Sequence, residues 1–385
     1  MHSRTLLFIA FSLVVSGLAH TLLGTWLFGA FPRAREKRRA IIAALATLVV
    51  LPTIMRWVTL ATHAQIAVVV FVAATSESII VLFSAIPIVL VRIAGRAASA
   101  TTRDDEQKIT RRQMVERAGG IGFLGATGSL IGWGAVIGRH DFKIEEVPVR
   151  IPGLPRALDG YTITQISDIH VGMLVGEKEL AEGLDVLARA KGDLVVMTGD
   201  MLDFDPRYIP LAARVLGGIR ARDGVYAIFG NHDYYTGASD VAAALRAAKI
   251  DVLVNDGRLI RAKDGGGFAL LGVDDLAAMR TGAAGPRLDR AESAVPNDAP
   301  RILLSHQPQT VDLWASRVAL QLSGHTHGGQ FNPGFRPADL IMRYVAGRYQ
   351  VGRTTLWVNR GFGVVGPPAR IGAPPEVTKI ILLSA

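Results

Sequence analysis

Hydrophobic and polar positions divide the chain into two regimes. From residue 1 to 140, apolar residues come in long runs: Leu6 to Phe31, Ala40 to Leu60, Ile66 to Val91 and Ala118 to Gly138. Each matches the ~20 residues that a helix needs to cross hydrocarbon, so four membrane-spanning helices are predicted. The short uncharged link Ala61 to Gln65 makes the second and third a hairpin. The fourth run is glycine-rich, with Gly128 and Gly132 at a spacing that lets helices approach closely. Because it holds no charge between Arg117 and Arg139, it reads as a span rather than a flexible linker. A cleaved signal peptide is the rival reading of the first run. The n-region carries only Arg4, while the basic cluster Arg33, Arg35, Lys37, Arg38 and Arg39 follows the run, which favours a retained helix.

Beyond Arg139 the pattern alternates between strand and helix periods. Apolar β-type runs lie at Tyr161 to Ile166, Leu194 to Met197, Val225 to Phe229, Ile302 to Leu304 and Leu320 to Leu322. Further strands are expected at Val252 to Asn255, Leu259 to Ala262, Phe268 to Leu271, Thr355 to Val358 and Thr378 to Leu383, with a hairpin turn at Lys263 to Gly267. Glu177 to Ala190 is an amphipathic helix, with Leu180, Leu184 and Leu187 on one stripe. Pro206 to Leu216 and Ser239 to Ala248 read as two more, the latter opened by a Ser239 cap. Ala283 to Ala299, rich in Pro, Gly, Asp and Asn, reads as a surface loop. The expected organisation is a transmembrane region over residues 1–140 and a layered α/β domain over 141–385.

Charge sharpens this division. Residues 1–140 hold 15 Lys and Arg against 6 Asp and Glu, whereas residues 141–385 hold 27 of each. The basic excess therefore belongs to the membrane segment, and the second domain has no overall positive field to attract a nucleic acid. Both basic loops, after Phe31 and from Arg92 to Arg117, are expected on the cytoplasmic side, which places the domain outside the cytoplasm. Thr110-Arg111-Arg112-Gln113-Met114 also fits a twin-arginine export signal; the alternative, a basic anchor between spans, exports the domain equally. Glu77 lies near the middle of the third span, where an ionisable group is a functional candidate. Arg56 lies at a different depth, roughly 13 Å away at ~1.5 Å per residue, and pairs poorly with it. The chain has no cysteine, so any metal must take nitrogen and oxygen donors.

Such donors are concentrated where strands end. Asp168-Ile169-His170, Gly199-Asp200-Met201-Leu202-Asp203, Gly230-Asn231-His232-Asp233, the lone His306, and Gly324-His325-Thr326-His327 each follow an apolar run. Five of the nine histidines lie there. Donors converging from separate strands onto one point are what a metal site requires. Taken singly, an Asp before a turn reads as a cap and His306 equally well as a buried core histidine; the combination favours ligation. Asp203 reads as an orienting or capping group, and Gly199, Gly230 and Gly324 as positions of tight turns or close approach.

These five blocks, in this order, resemble the calcineurin-like metallophosphoesterase superfamily, and the ending Gly324-His325-Thr326-His327-Gly328-Gly329-Gln330 looks like its membrane-attached branch. The resemblance runs from about Ile151 to Ala385, through Asn359-Arg360-Gly361 and Pro375-Glu376. It implies two β-sheets sandwiched between helices. It implies two metals, one held by Asp168, His170, Asp200 and His327 and the other by Asp200, Asn231, His306 and His325. This imidazole–carboxylate mixture suits Mn, Fe or Zn better than Mg or Ca. Two cations would acidify a water for in-line attack on phosphorus. His232 is implied as the catalytic acid, with Asp233 holding its ring; the alternative for His232 is a further metal ligand.

The resulting expectation is a membrane-anchored phosphoesterase acting on a phosphomonoester or phosphodiester. Tethering beside a bilayer suggests a lipid-linked or cell-envelope phosphate. A non-catalytic sensor or scaffold that binds a phosphorylated partner, and a transport function involving Glu77, are the readings from other classes. Phe331 to Tyr349, with Arg336, Arg343, Tyr344, Arg348 and Tyr349, reads either as a cover over the site or as a plain surface loop. Arg370 is a weaker phosphate-binding candidate.

Overall fold

A computed structural model describes residues 2–62, 65–99, 110–262 and 265–385 and divides the chain into two compact units, Met1–Trp133 and Gly134–Ala385. In the first unit, α1 (His2–Ala30), α2 (Arg38–Thr62), α3 (Gln65–Ser99) and α4 (Arg111–Val136, ending in the second unit) follow the four apolar runs. All four are long and apolar enough to cross a membrane. Phe11, Val14, Ile42, Ile54, Ile66, Val69 and Ile86 face outward, the arrangement expected where the surroundings are lipid rather than water. Close approach within this unit falls at Gly119 and Gly120, where an added Cβ would stand 2.7 Å from Val91 and 2.3 Å from Trp26; Gly132 has open space instead. The Glu77 carboxylate lies 3.2 Å from His20 Nε2, a partner 57 positions away that spacing along the sequence does not reveal. Much of the second basic loop, with Arg103, Asp104, Asp105, Glu106 and Lys108, lies outside the described residues, as do His63, Lys263 and Asp264.

Among its described residues the second unit contains twelve strands: β1 (Lys143–Ile151), β2 (Thr162–Ile166), β3 (Leu194–Thr198), β4 (Val225–Ile228), β5 (Asp251–Val252), β6 (Asp256–Arg261), β7 (Gly267–Gly272), β8 (Arg301–Leu304), β9 (Leu320–Ser323), β10 (Gly347–Val351), β11 (Thr354–Val358) and β12 (Glu376–Ser384). They form two six-stranded mixed sheets, ordered β1-β12-β2-β3-β4-β5 and β10-β11-β9-β8-β7-β6. Strands β2 to β5 are parallel, as are β7, β8, β9 and β11. The fold class is therefore the expected α/β sandwich.

Alternating side chains explain the layers, since successive strand residues face opposite sides. Ile163, Leu194, Val196 and Ile228 of one sheet meet Phe268, Leu270, Ile302, Leu304, Leu320 and Leu322 of the other in a central core. The opposite face of the first sheet, through Val195, Met197 and Ala227, packs on α5 (Glu177–Ala190), α6 (Ile209–Leu216) and α8 (Ala238–Ala247) through Leu180, Leu187, Leu216, Val241 and Leu245. Ala269, Leu271 and Leu303 cover the outer face of the second sheet with α9 (Leu288–Glu292) and Trp314. Each such buried leucine or phenylalanine contributes about 1.5–3 kcal/mol relative to exposure.

Three details depart from expectation. The α8 helix is preceded by Gly237 with no side-chain cap, and Ser239 lies inside it. The segment Ala283 to Ala299 is not all loop, because Leu288 and Ala291 turn inward on α9. Strand β5 stops at Val252, and the chain bends over Val254 and Asn255, where Asn255 adopts a left-handed φ of 53° that a strand cannot use.

Candidate metal centre

Parallel strands deliver their C-terminal ends to one edge. Asp168 and His170 follow β2, Asp200 follows β3, His306 follows β8, and His325 and His327 follow β9; Asn231 opens α7 (Asn231–Thr236) after β4. Sharp exits from these strands require unusual backbone geometry. Asp168, His170, Asp200, His325 and His327 have φ values of 52°, 51°, 52°, 74° and 52°. Asp and His tolerate the left-handed region better than most non-glycine residues, and such conformations persist where surrounding structure enforces them. Glycine supplies the clearance. A Cβ at Gly324 would stand 2.2 Å from Asp168 Oδ2, and one at Gly230 would stand 2.2 Å from Asp200 Oδ1.

The side chains converge in overlapping groups. Donor atoms of Asp168, His170 and His327 lie within 4.8 Å of one another, as do those of Asp200, His306 and His325, and those of His170, Asp200 and His232. Within these groups His170 Nε2 is 3.0 Å from His327 Nε2, His325 Nδ1 is 3.2 Å from His306 Nε2, and His306 Nε2 is 3.2 Å from Asp200 Oδ2. Donors bound to one cation at ~2.0–2.2 Å stand about 3–3.5 Å apart, so these spacings fit metal ligation. Asn231 adds a buried Oδ1 that has no protein hydrogen-bond partner, an unspent lone pair beside the cluster.

Surrounding groups prepare these donors. His306 Nδ1 is 2.8 Å from the Thr198 carbonyl, to which it donates, so Nε2 is the nitrogen directed at Asp200. Burial opposes a charged ring there, but the charge and hydrogen bond of Asp200 hold the His306 pKa above its ordinary value. Asp168 accepts the His325 backbone N–H at 2.9 Å, and Asp200 accepts that of His232 at 2.8 Å. Burial alone would raise the Asp200 pKa, but the charge and hydrogen bond of His306 outweigh it and hold the carboxyl well below its usual range. Burial, the His170 charge and then Arg370 hold His327 well below the usual histidine value; burial and His306 lower His325. Both rings are thus kept neutral, the form that ligates a cation.

His232 is close enough to His170 and Asp200 to serve as a ligand, yet its environment differs. Its Nδ1 lies 2.5 Å from the Asp203 carbonyl and 3.3 Å from the Asp203 carboxylate. Burial would lower its pKa, but hydrogen bonding to Asp203 and the Asp200 charge lift it to about 9. Asp233 does not hold the His232 ring. Its carboxylate accepts the backbone N–H groups of Met201, Leu202 and Gly230 at 3.0, 3.1 and 2.9 Å, tying the β3 and β4 exits together. The ring-holding position belongs to Asp203, consistent with its expected orienting role; Phe204 and Tyr235 flank the same imidazole.

The basic residues considered as phosphate partners are engaged within the protein, and one of them, Arg370, reaches the candidate metal centre, its Nη2 lying 3.3 Å from His327 Nδ1. Arg370 is fully buried and donates to the carbonyls of Gly363, Arg360 and Ala373. Arg336 pairs with Asp339, Arg343 and Tyr344 with Asp312, and Arg348 with the Pro148 carbonyl. Tyr349 accepts the Val345 N–H. The segment after Arg360 is a clamp that sequence reasoning did not resolve: Phe362 N–H and Gly363 N–H donate to the carbonyls of Ser167 and Asp168, both at 2.8 Å.

Comparison with known proteins follows the same interval. A family model described as calcineurin-like phosphoesterase matches residues 161–329, which contain every candidate ligand. The chain is 36% identical over 259 residues to a transmembrane protein with metallophosphoesterase domain from Bos taurus, covering 62% of this chain and 56% of that protein. It is 33% identical over 272 residues to a protein of the same description from Danio rerio, covering 67% of this chain and 61% of that protein. It thus spans little more than half the length of these two relatives. Against the uncharacterized metallophosphoesterase YkuE of Bacillus subtilis it is 30% identical over 295 residues, covering 72% of this chain and 99% of that protein.

Proposed function

Because the chain belongs to the calcineurin-like phosphoesterase family, we propose that it is a membrane-anchored, two-metal hydrolase of phosphomonoesters or phosphodiesters. The observation that carries this reading is the pair of donor groups meeting at Asp200: Asp168, His170 and His327 on one side, with His170 Nε2 3.7 Å from Asp200 Oδ2, and His306 and His325 on the other. We assign Asp168, His170, Asp200 and His327 to one cation and Asp200, Asn231, His306 and His325 to the other. Mn, Fe or Zn suits these nitrogen and oxygen donors. When bound, such cations neutralise phosphate oxygens and acidify water.

The chain's own residues supply positioning and proton transfer. Asp200 has two oxygens and can serve both groups, while the Thr198 carbonyl fixes the His306 tautomer. His232 commits Nδ1–H to Asp203 and holds a proton at Nε2 for the departing ester oxygen. Cations beside it would oppose the carboxylates that raise its pKa, bringing the ring closer to its ordinary range. Four apolar helices and the basic excess of residues 1–140 support a multi-pass chain whose second unit faces away from the cytoplasm. A lipid or cell-envelope phosphate is the substrate class that such tethering favours.

The test uses the full chain in detergent, stripped with chelator, assayed on a chromogenic monoester and a chromogenic diester, then supplied with Mn, Zn, Fe or Mg. Metal-restored hydrolysis of either ester supports the reading. A metal-replete chain that binds phosphorylated ligands but cleaves neither ester would favour a binding module.

A further inference from the structure

Between the candidate metal turn and β10, the chain forms a projecting apolar tip. Phe335, Leu340, Ile341 and Met342 are 62%, 81%, 85% and 39% exposed, large apolar groups that water disfavours in such proximity. The tip is held in shape rather than loose. Pro337–Leu340 forms a short helical turn braced by Arg336 Nε donating to Asp339 at 2.8 Å. At its root, Asn332 N–H donates to the Ile371 carbonyl at 2.7 Å, and Asn332 Nδ2 donates to the Gly328 carbonyl at 2.9 Å. At its far end Tyr344 and Val345 are buried, and Thr326 Oγ1 donates to the Val345 carbonyl at 2.5 Å. Arg336 and Arg343 flank the apolar residues in sequence.

Two neighbours give this tip a setting. One is the metal centre, because a Cβ on Gly329, two residues after His327, would stand 3.2 Å from Ala338 of the tip. The other is the end of the last apolar helix. Gly134, in the final turn of α4, accepts the Arg370 N–H at 3.1 Å and lies against Ile371, the residue that Asn332 also engages. Val136 and Ile137, just beyond, are likewise exposed. The root of the tip and the point where the chain leaves the fourth apolar helix therefore share one strip of the second unit.

We propose that Phe335, Leu340, Ile341 and Met342 insert into the interfacial layer of the bilayer that anchors the chain, presenting the metal centre to phosphoesters at the membrane surface. The apolar tip matches that layer, where apolar groups enter ~5–10 Å, while the Arg336–Asp339 and Arg343–Asp312 pairs that flank it stay among headgroups. The inference rests on the membrane-anchored phosphoesterase reading for its functional consequence, but its geometry can be tested without catalysis.

The chain lacks cysteine, so a single introduced thiol reports one position. The full chain carrying Ile341→Cys, and separately Phe335→Cys, would be labelled with an environment-sensitive fluorophore and placed in nanodiscs of phosphatidylcholine and phosphatidylglycerol. Asn297→Cys serves as control: it is exposed and precedes β8, at the end of the second sheet opposite His306. Lipids bearing a nitroxide near the headgroup end of the acyl chain should remove about half or more of the emission at 341 and 335, as expected for residence at that depth, and leave 297 bright. Aqueous iodide should quench 297 alone. Iodide quenching of 341 and 335 without lipid quenching overturns the proposal. Protection from both quenchers also overturns it and points to a protein, such as a second copy, covering the tip. Loss of ester hydrolysis with lipid quenching retained would instead count against the enzymatic reading alone.

Discussion

His232 Nδ1 lies 2.5 Å from the backbone carbonyl of Asp203 and 3.3 Å from the same residue's carboxylate. One residue thus fixes both the tautomer and the charge preference of the imidazole that we assign as the acid. His232→Ala should lower ester turnover by ~10²–10⁴-fold while the metal content per chain, measured by elemental analysis, stays unchanged. A metal-deficient His232→Ala protein would reassign this ring as a ligand.

Asp203 and Asp233 should separate cleanly. Asp203→Ala keeps the carbonyl contact and removes the carboxylate, so turnover should fall ~10–100-fold with little change in melting temperature. Asp233→Ala strands the buried N–H groups of Met201, Leu202 and Gly230. At about 1–3 kcal/mol for each unsatisfied group, the thermal midpoint of the full chain should drop sharply. A normal midpoint with lost turnover would restore Asp233 to a catalytic role.

Clearance at the strand ends is testable at Gly324, where a Cβ would stand 1.9 Å from Ser167 Oγ and 2.2 Å from Asp168 Oδ2. Gly324→Ala should weaken metal affinity by ~10–100-fold, read by chelator competition, because Asp168 must shift. Gly122→Ala in α4, with nothing near its added methyl, should leave affinity unchanged.

Orientation can be read with the same cysteine-free background. A membrane-impermeant maleimide applied to intact cells should label Asn297→Cys and spare Arg38→Cys, both exposed positions. The opposite pattern would place the second unit in the cytoplasm and contradict the charge argument.

Particular residues show why some of this was legible from sequence. Leu180, Leu184 and Leu187 fixed the buried face of α5 because helical period and burial agree, and its bounds coincide with Glu177–Ala190. Strand β1 escaped because Pro148 argues against a strand even though Val147, Val149 and Ile151 alternate inward; the structure accommodates that proline at the sheet edge, where β1 pairs with β12 alone. The donor residues were legible as motifs, since Asp, Asn and His recur at strand ends. Their supporting groups were not. Asp203 and Asp233 both follow a motif glycine by a few residues, and only three-dimensional placement shows which meets the imidazole and which meets backbone N–H groups. The His20–Glu77 contact and the buried Arg370 likewise depend on long-range packing that no local period encodes.

The most direct test counts metal in the full chain after reconstitution with Mn, Zn or Fe, comparing the unaltered protein with Asp200→Asn and assaying ester hydrolysis on the same samples. Our account predicts two ions per unaltered chain, as for a two-metal hydrolase, with Asp200→Asn losing metal and hydrolysis together. Full hydrolysis by Asp200→Asn, or an unaltered chain that binds no metal, would contradict it.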